Sequence, residues 1–437
     1  MRRDFLKWCA SAGMGLATPS VFSGSSRADD KRELPIYDGP FYVVCNASGG
    51  WDTTYLMDPK GVGGINRLYE KGDIQTEGNI CFAPTAKHIA EGVSNEQFFS
   101  KYASELLVFN GLDYSINNHS PCSRYMATGS LDSLAYPTFA ALVAACHGRT
   151  CPLAFLTFGN YSATGNLVPM SRVPYIPSLK LLANADGVQG MQQHLYHEPF
   201  VSDHIEAALA QQTERRTSQV QLPRRERAEN MLYSAQWNSQ ALARVTPHIP
   251  ESIPKDPLSQ QAEIALASFK AGVCVSANLT IGQFDSHQKN DEDQMKLLPK
   301  FLSSIDYLLR RAEELKIREK LVLVLQSEMG RTPSYNSGNG KDHWSIGSIM
   351  FMGPGIRGNR VVGATDDGQF AVPVHSQTLG LDRENGIRVR PEHIHFALRE
   401  LVGITDHEYS HQFPFKVKDG EKLKDLWTGA INVKPLT

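Results

Sequence analysis

The chain has 437 residues, 41% hydrophobic and 21% charged, with 44 Lys and Arg against 46 Asp and Glu and a formal net charge of -2. These are ordinary values for a folded protein, and the length suits one large α/β domain with insertions, or two domains. A near-neutral balance argues against nucleic acid or an anionic membrane surface as the main partner.

The chain begins MRRDFLK, with Arg2 and Arg3 adjacent, followed by the weakly apolar, Gly/Ala-rich stretch CASAGMGLATPSVF. A basic segment before a short apolar one reads as a removable twin-arginine export signal. It is assigned to residues 1–28, with Ala28 as the cleavage position. The translocase is then a partner during export, and the mature chain, residues 29–437, is expected in the periplasm or outside the cell. No stretch supplies the roughly 20 consecutive apolar residues of a membrane span. The runs FYVVCN (41–46), ELLVFNG (105–111), VCVSANLTIG (273–282), LVLVLQS (321–327) and SIMFMGPG (348–355) predict strands. Between the third and fourth, Leu297, Leu298, Phe301, Ile305, Leu308, Leu309 and Ala312 recur at helical spacing. A last helix is expected from Pro391, in the first turn where proline is favoured. Strand, helix and strand in succession point to a mostly parallel sheet covered by helices. The polar, helix-prone segment at about 186–256, with its crowded Arg215, Arg216, Arg224, Arg225 and Arg227, reads as a helical cap-like insertion. Six cysteines follow the signal; Cys146 and Cys151 are the best placed to pair, and buried free thiols fit as well.

In parallel α/β sheets the working groups gather at the carboxyl ends of the strands. Asp52 follows the first predicted strand. His119 lies in NNHSPCSRYMATG, read as a loop after the second. Asp285 and His287, in FDSH, follow the third, Glu328 follows the fourth, and His343 precedes the fifth. Carboxylates and imidazoles gathered in this way are the donors that divalent cations use.

The stretches GGWD with DPK after it, NHSPCSRYMATG, FDSH, SEMGRTP, GKDHWSIGSIMFMGPGIRGNRVVGATD and PEHIHFALRELVGI carry a resemblance that spans most of the chain after residue 40. They resemble the alkaline-phosphatase and sulfatase superfamily and, within it, the exported family catalogued as domain of unknown function 1501. The resemblance implies a three-layer α/β/α sandwich with a mostly parallel central sheet. It implies divalent metal ions (Zn, Mn, Ca or Mg), one held by Asp285, His287 and His343 and another by Asp52 and Glu328. Arg331 and Lys341 would neutralise a non-bridging oxygen of a small-molecule or polysaccharide ester of phosphate or sulfate. His119 stands where relatives carry the nucleophile, as a nucleophile, a base or a third ligand, and Met329 replaces a His found in many relatives. These departures leave two functions open: an exported metal-dependent ester hydrolase, or an exported binding or assembly protein with a degenerate site.

Overall fold

The computed structural model describes residues 36–183 and 241–431, apart from 62, 133–135, 150, 160, 174 and 175, together with isolated residues between 198 and 215 and residue 433. The signal assigned to residues 1–28 and most of the insertion at about 186–256 lie outside the described residues.

Eight strands form the central sheet: β1 (Phe41–Ala47), β2 (Leu107–Asp113), β3 (Phe155–Thr157), β4 (Met170–Ser171), β5 (Ser276–Ile281), β6 (Leu321–Gln326), β7 (Ile346–Met352) and β8 (Arg360–Val362). Their spatial order is β8-β2-β7-β6-β1-β5-β3-β4. Only β7 runs antiparallel, to both β2 and β6; the other neighbours pair in parallel. β6 and β7 are buried at every residue, which is why they carry the apolar runs LVLVL and IMFM instead of an alternating pattern.

The longer helices among the described residues include α1 (Asn95–Tyr102), α2 (His119–Thr128), α3 (Phe139–Gly148), α4 (Pro257–Lys270), α5 (Asn290–Glu314) and α6 (Pro391–Leu401). Successive side chains of a strand point to opposite faces, and β1 makes the layering explicit. Phe41 stacks on Phe269 of α4 at 4.9 Å between ring centroids. Its neighbour Tyr42 meets Phe139 of α3 edge-on at 6.5 Å. α5 packs on α4 and α1, while α6 packs on α2 and reaches α3 through the His395–Phe139 contact. The expected α/β architecture, with a large, mostly parallel central sheet between helices, is therefore the one observed.

Several details differ from the sequence expectation. NHSPCSRYMATG is not a loop: from His119 it forms α2. Pro121 falls in the first turn, where its missing N–H is harmless, and Gly129 ends the helix in the left-handed region at φ 72°. β3, β4 and β8 are two or three residues long and carry too little periodicity to be seen. β7 begins two residues earlier than expected and stops before Gly353. Of the two readings left open for Cys146 and Cys151, the buried free thiols are the one observed, and Cys45, Cys81, Cys122 and Cys274 are free as well. Among the described residues no helix is long and apolar enough to cross a membrane.

Candidate functional site

Beyond β1 the chain turns through Gly49 and Gly50 at φ of 119° and 94°, backbone conformations that favour glycine. At Gly49 a Cβ would stand 2.5 Å from the backbone nitrogen of Asp285, so the loop after β1 lies directly on the loop after β5. The Gly49 N–H donates to Glu328 Oε1 at 2.8 Å, tying in the segment after β6. The β5 loop is bracketed by Gln283 and Lys289, non-glycine residues at φ of 78° and 49°. Backbone strain of this kind concentrates at functional sites.

Three side-chain atoms meet in front of these loops. His287 Nε2 and His343 Nε2 are 3.0 Å apart, and each lies 3.1 Å from Asp285 Oδ1. The opposite ring nitrogens fix the tautomers. His287 Nδ1–H donates to the Asp342 carboxylate at 2.8 Å, and His343 Nδ1–H to the Asn117 carbonyl at 2.8 Å. With both rings neutral, these bonds leave both Nε2 lone pairs facing each other and the Asp285 carboxylate. Such a meeting of acceptors is relieved by a proton, as in the 3.1 Å hydrogen bond between His343 Nε2 and Asp285 Oδ1, or by a cation among them. Nitrogen and oxygen ligands at about 2.0–2.2 Å from one ion stand about 3.0–3.5 Å from one another. Backing each ligand imidazole with an acceptor at its other nitrogen is also how metal sites hold their histidines.

His119 approaches from α2. Its Nδ1 contacts Glu328 Oε1 at 3.1 Å. Its Nε2 lies 3.2 Å from Asp285 Oδ2 but out of line for a hydrogen bond, and this buried atom has no partner. The Glu328 hydrogen bond raises the His119 pKa above its ordinary value, with burial opposing and Asp285 assisting. For Asp285, burial alone would raise the pKa. The hydrogen bond and charge of Arg331, followed by His119 and His343, instead hold it at about 2. His119, Asp285 and His343 thus gather their donor atoms closely enough for one ion, with His287 beside them; these residues fit a divalent cation.

The remaining residues singled out from the sequence lie elsewhere. Asp52 caps a short helical turn through Thr54, and its Oδ2 accepts from Lys341 Nζ at 2.7 Å and from Asn290 Nδ2 at 3.0 Å. Asp52 and Lys341 are both 0% exposed, whereas Asp285 is 41% and His287 44% exposed. Asp52 is therefore fully engaged as an anchor inside the protein, and Lys341 is its counter-ion, remote from any incoming oxygen. Arg331 is also buried. Its guanidinium donates to the carbonyls of Gly49, Gly50 and Lys341 and to Asp285, so it shapes the loops and holds Asp285 instead of presenting a free cation.

Sequence reasoning passed over the supports. Gln294 of α5 accepts from the Asp52 N–H and donates to the Phe284 carbonyl and Ser286. Ser286 donates to Asn290 at 2.6 Å, so α5 grips the β5 loop from behind. Asp342, next to His343 in the sequence, had an adjacent signal; Asn117, acting through its backbone carbonyl, had none.

A sequence model of the family described as "Protein of unknown function (DUF1501)" matches residues 189–408. No curated protein matches the chain. Among solved structures, the chain is similar to Ps i-CgsB at TM-score 0.36 and 8% identity, over 84% of this chain and 71% of that one. It is similar to a 2-O GAG sulfatase at TM-score 0.33 and 10% identity, over 91% and 76%. It is similar to the lipoteichoic acid synthase LtaP from Listeria monocytogenes at TM-score 0.33 and 7% identity, over 84% and 78%.

Proposed function

The chain belongs to the DUF1501 family, and we propose that it is a metal-dependent hydrolase of phosphate or sulfate esters, exported by the twin-arginine route and working in the periplasm or outside the cell. The observation that carries this reading is the convergence of His287 Nε2 and His343 Nε2, 3.0 Å apart, on Asp285 Oδ1, which lies 3.1 Å from each. Asp285, His287 and His343 would hold a divalent ion, with His119 within reach of the same position. When bound, such an ion polarises an ester oxygen and lowers the pKa of a bound water.

The chain's own residues supply the proton chemistry. Glu328, held by the Gly49 N–H, orients the His119 ring through Nδ1 and stabilises its protonated form. That leaves the unpartnered Nε2 to take a proton from an attacking water and return it to the leaving oxygen. Arg331 keeps Asp285 ionised and in place.

The test is direct. Protein purified without chelators is expected to carry about one divalent ion per chain and to turn over para-nitrophenyl phosphate or sulfate; chelation should abolish that turnover. Finding no metal, together with no change of melting temperature on adding Zn, Mn, Ca or Mg, would end this reading.

One observation favours a second reading, an exported binding or assembly protein with the same site. Four of the five N–H donors of the Arg331 guanidinium are already engaged by the protein and the side chain is buried, which sets it back from the ester's non-bridging oxygens. Metal binding without turnover across a panel of phosphate and sulfate esters, combined with a stable stoichiometric partner, would favour that alternative.

A further inference from the structure

Behind Glu328, between the sheet and helices α2, α3 and α6, lies a cavity of about 70 Å³. At roughly 30 Å³ for each water it has room for about two water-sized bodies. The parallel register sets Thr280, Asn46 and Gln326 side by side on β5, β1 and β6, and all three line this cavity. Buried polar groups are costly unless they find partners, so the groups left over here say what the cavity accepts.

The donors of this row are spent on the protein. The Asn46 amide donates to the Leu279 carbonyl, the Gln326 amide to Asn46 Oδ1 and the Thr280 hydroxyl to the Asn46 carbonyl. His395, which also lines the cavity, has its Nε2–H on the Met126 carbonyl. The acceptors are what is left. Gln326 is 4% exposed, and with its nitrogen turned to Asn46 its Oε1 points away from that bond. Glu328 is 6% exposed. The Gly49 N–H and His119 both reach its Oε1, and among the described residues no hydrogen bond reaches Oε2. Ser123 adds a hydroxyl from the helical wall, and no Lys or Arg is among the described lining residues.

A small chamber that offers oxygen lone pairs and one side of a buried carboxylate, with its donors turned away, suits a hard cation. The charge follows from the same groups: divalent oxygen sites draw their affinity from accumulated carboxylate charge, whereas here a single carboxylate, already shared with His119, stands among neutral oxygens. We propose that the cavity binds a monovalent alkali cation, of sodium or potassium size, through Glu328 Oε2, Gln326 Oε1 and the hydroxyl oxygens of Thr280 and Ser123, with water completing its shell. Seated there, the ion braces from behind the carboxylate that holds the His119 ring. The site is separate from the Asp285 cluster, none of whose residues lines the cavity, and the assignment does not rest on the hydrolase reading.

The first measurement is the melting of the full chain in sodium, potassium and choline chloride at equal ionic strength, with a chelator present to keep divalent ions from the Asp285 cluster. At about tenfold excess over its Kd, the bound ion should raise the melting temperature by about 2–4 °C over choline; sodium against potassium decides which size fits. The second uses heavier ions of the same charge. Crystals grown in rubidium chloride should show an anomalous peak inside the cavity, and thallium NMR should report the affinity. That affinity should fall roughly tenfold in Gln326→Met, which keeps the length of the side chain and removes one oxygen facing a charge. Should Gln326→Met fail to fold, as judged by melting, Thr280→Val takes its place with the same expected direction. Equal melting in all three salts, a cavity filled by water alone, or a thallium affinity unchanged in a folded variant would each overturn the proposal, even in an active enzyme. Ion binding that depends on Gln326, in a protein that turns over no ester, would leave the cation site standing and overturn the hydrolase reading alone.

Discussion

Asp52 and Asp285 both follow buried parallel strands of one sheet and look equivalent in the sequence, yet the fold gives them opposite environments. Asp52 sits in the interior with Lys341, Asn290 and Thr54 around its oxygens, a charge that the protein fully compensates. Asp285 sits at the surface, where Oδ1 faces the Nε2 atoms of two imidazoles and Arg331 and Oδ2 faces a third imidazole. The difference is one of completion. The first cluster closes on itself and can only stabilise; the second converges several acceptors on one point and remains able to bind.

The largest effect that would break this comparison is on stability. Removing one partner of a buried ion pair leaves an uncompensated charge, which costs about 3–5 kcal/mol. Lys341→Ala should lower the urea stability by that amount whether or not metal is added, and Asp52→Asn combined with Lys341→Met should cost clearly less than Lys341→Ala alone. A loss below about 1 kcal/mol for Lys341→Ala would place Asp52 in the open cluster after all. The complementary change is His287→Ala. Loss of a direct ligand should weaken metal binding by at least about 100-fold, more than the 10–100-fold typical of outer partners. Since His287 is half exposed and its lone pair opposes that of His343, the metal-free variant should be at least as stable as the wild type. A metal-free His287→Ala protein that melts well below the wild type would show that the histidine is structural.

The same contrast explains what the sequence could and could not reveal. Strands β1, β2, β5, β6 and β7 and the long α5 were legible because burial favours apolar runs in strands and helical spacing in helices. Asp285, His287 and His343 were legible because FDSH and KDHW place ligand types at strand ends. Asp52 was legible only as a strand-end acid. Whether it pairs inside the fold depends on Lys341, almost 300 positions away in the chain, and no local pattern records that distance. Arg331 was misjudged for a related reason, since its partners are backbone carbonyls of Gly49, Gly50 and Lys341, and carbonyls leave no mark in side-chain identity. His119 begins a helix and not a loop; Pro121 hides the start of that helix from periodicity.

A smaller effect sharpens the account of how the open cluster is held. Asp342 receives the Nδ1–H of His287 at 2.8 Å, and Asn336 braces it at 3.2 Å. Asp342→Ala frees His287 to swing or to change tautomer. Metal affinity, read by competition with a chromogenic chelator, should fall about 10–100-fold, with little change in the melting of the metal-free protein because Asp342 lies at the surface. An unchanged affinity would mean that the tautomer of His287 is set by something other than Asp342.

The smallest effect separates two kinds of histidine. His119 has a raised pKa because carboxylates face it. His395 and His147 are held at about 4 by burial, each with Nε2–H donating to a carbonyl, of Met126 and Val402 respectively. For these two the folded pKa lies below the unfolded value of about 6.5, so the unfolded chain binds protons that the folded chain refuses. Stability is therefore complete above about pH 7 and is lost as pH falls through 6.5 toward 4. Between pH 7 and 5.5 each contributes a loss of about 1 kcal/mol. His395→Gln retains a donor for the Met126 carbonyl while removing the titration, so its stability should fall less steeply over that interval than that of the wild type, by about that amount. An equal slope would show that His395 is protonated within the fold, and the division between satisfied interior groups and open cluster groups would then fail at a buried histidine.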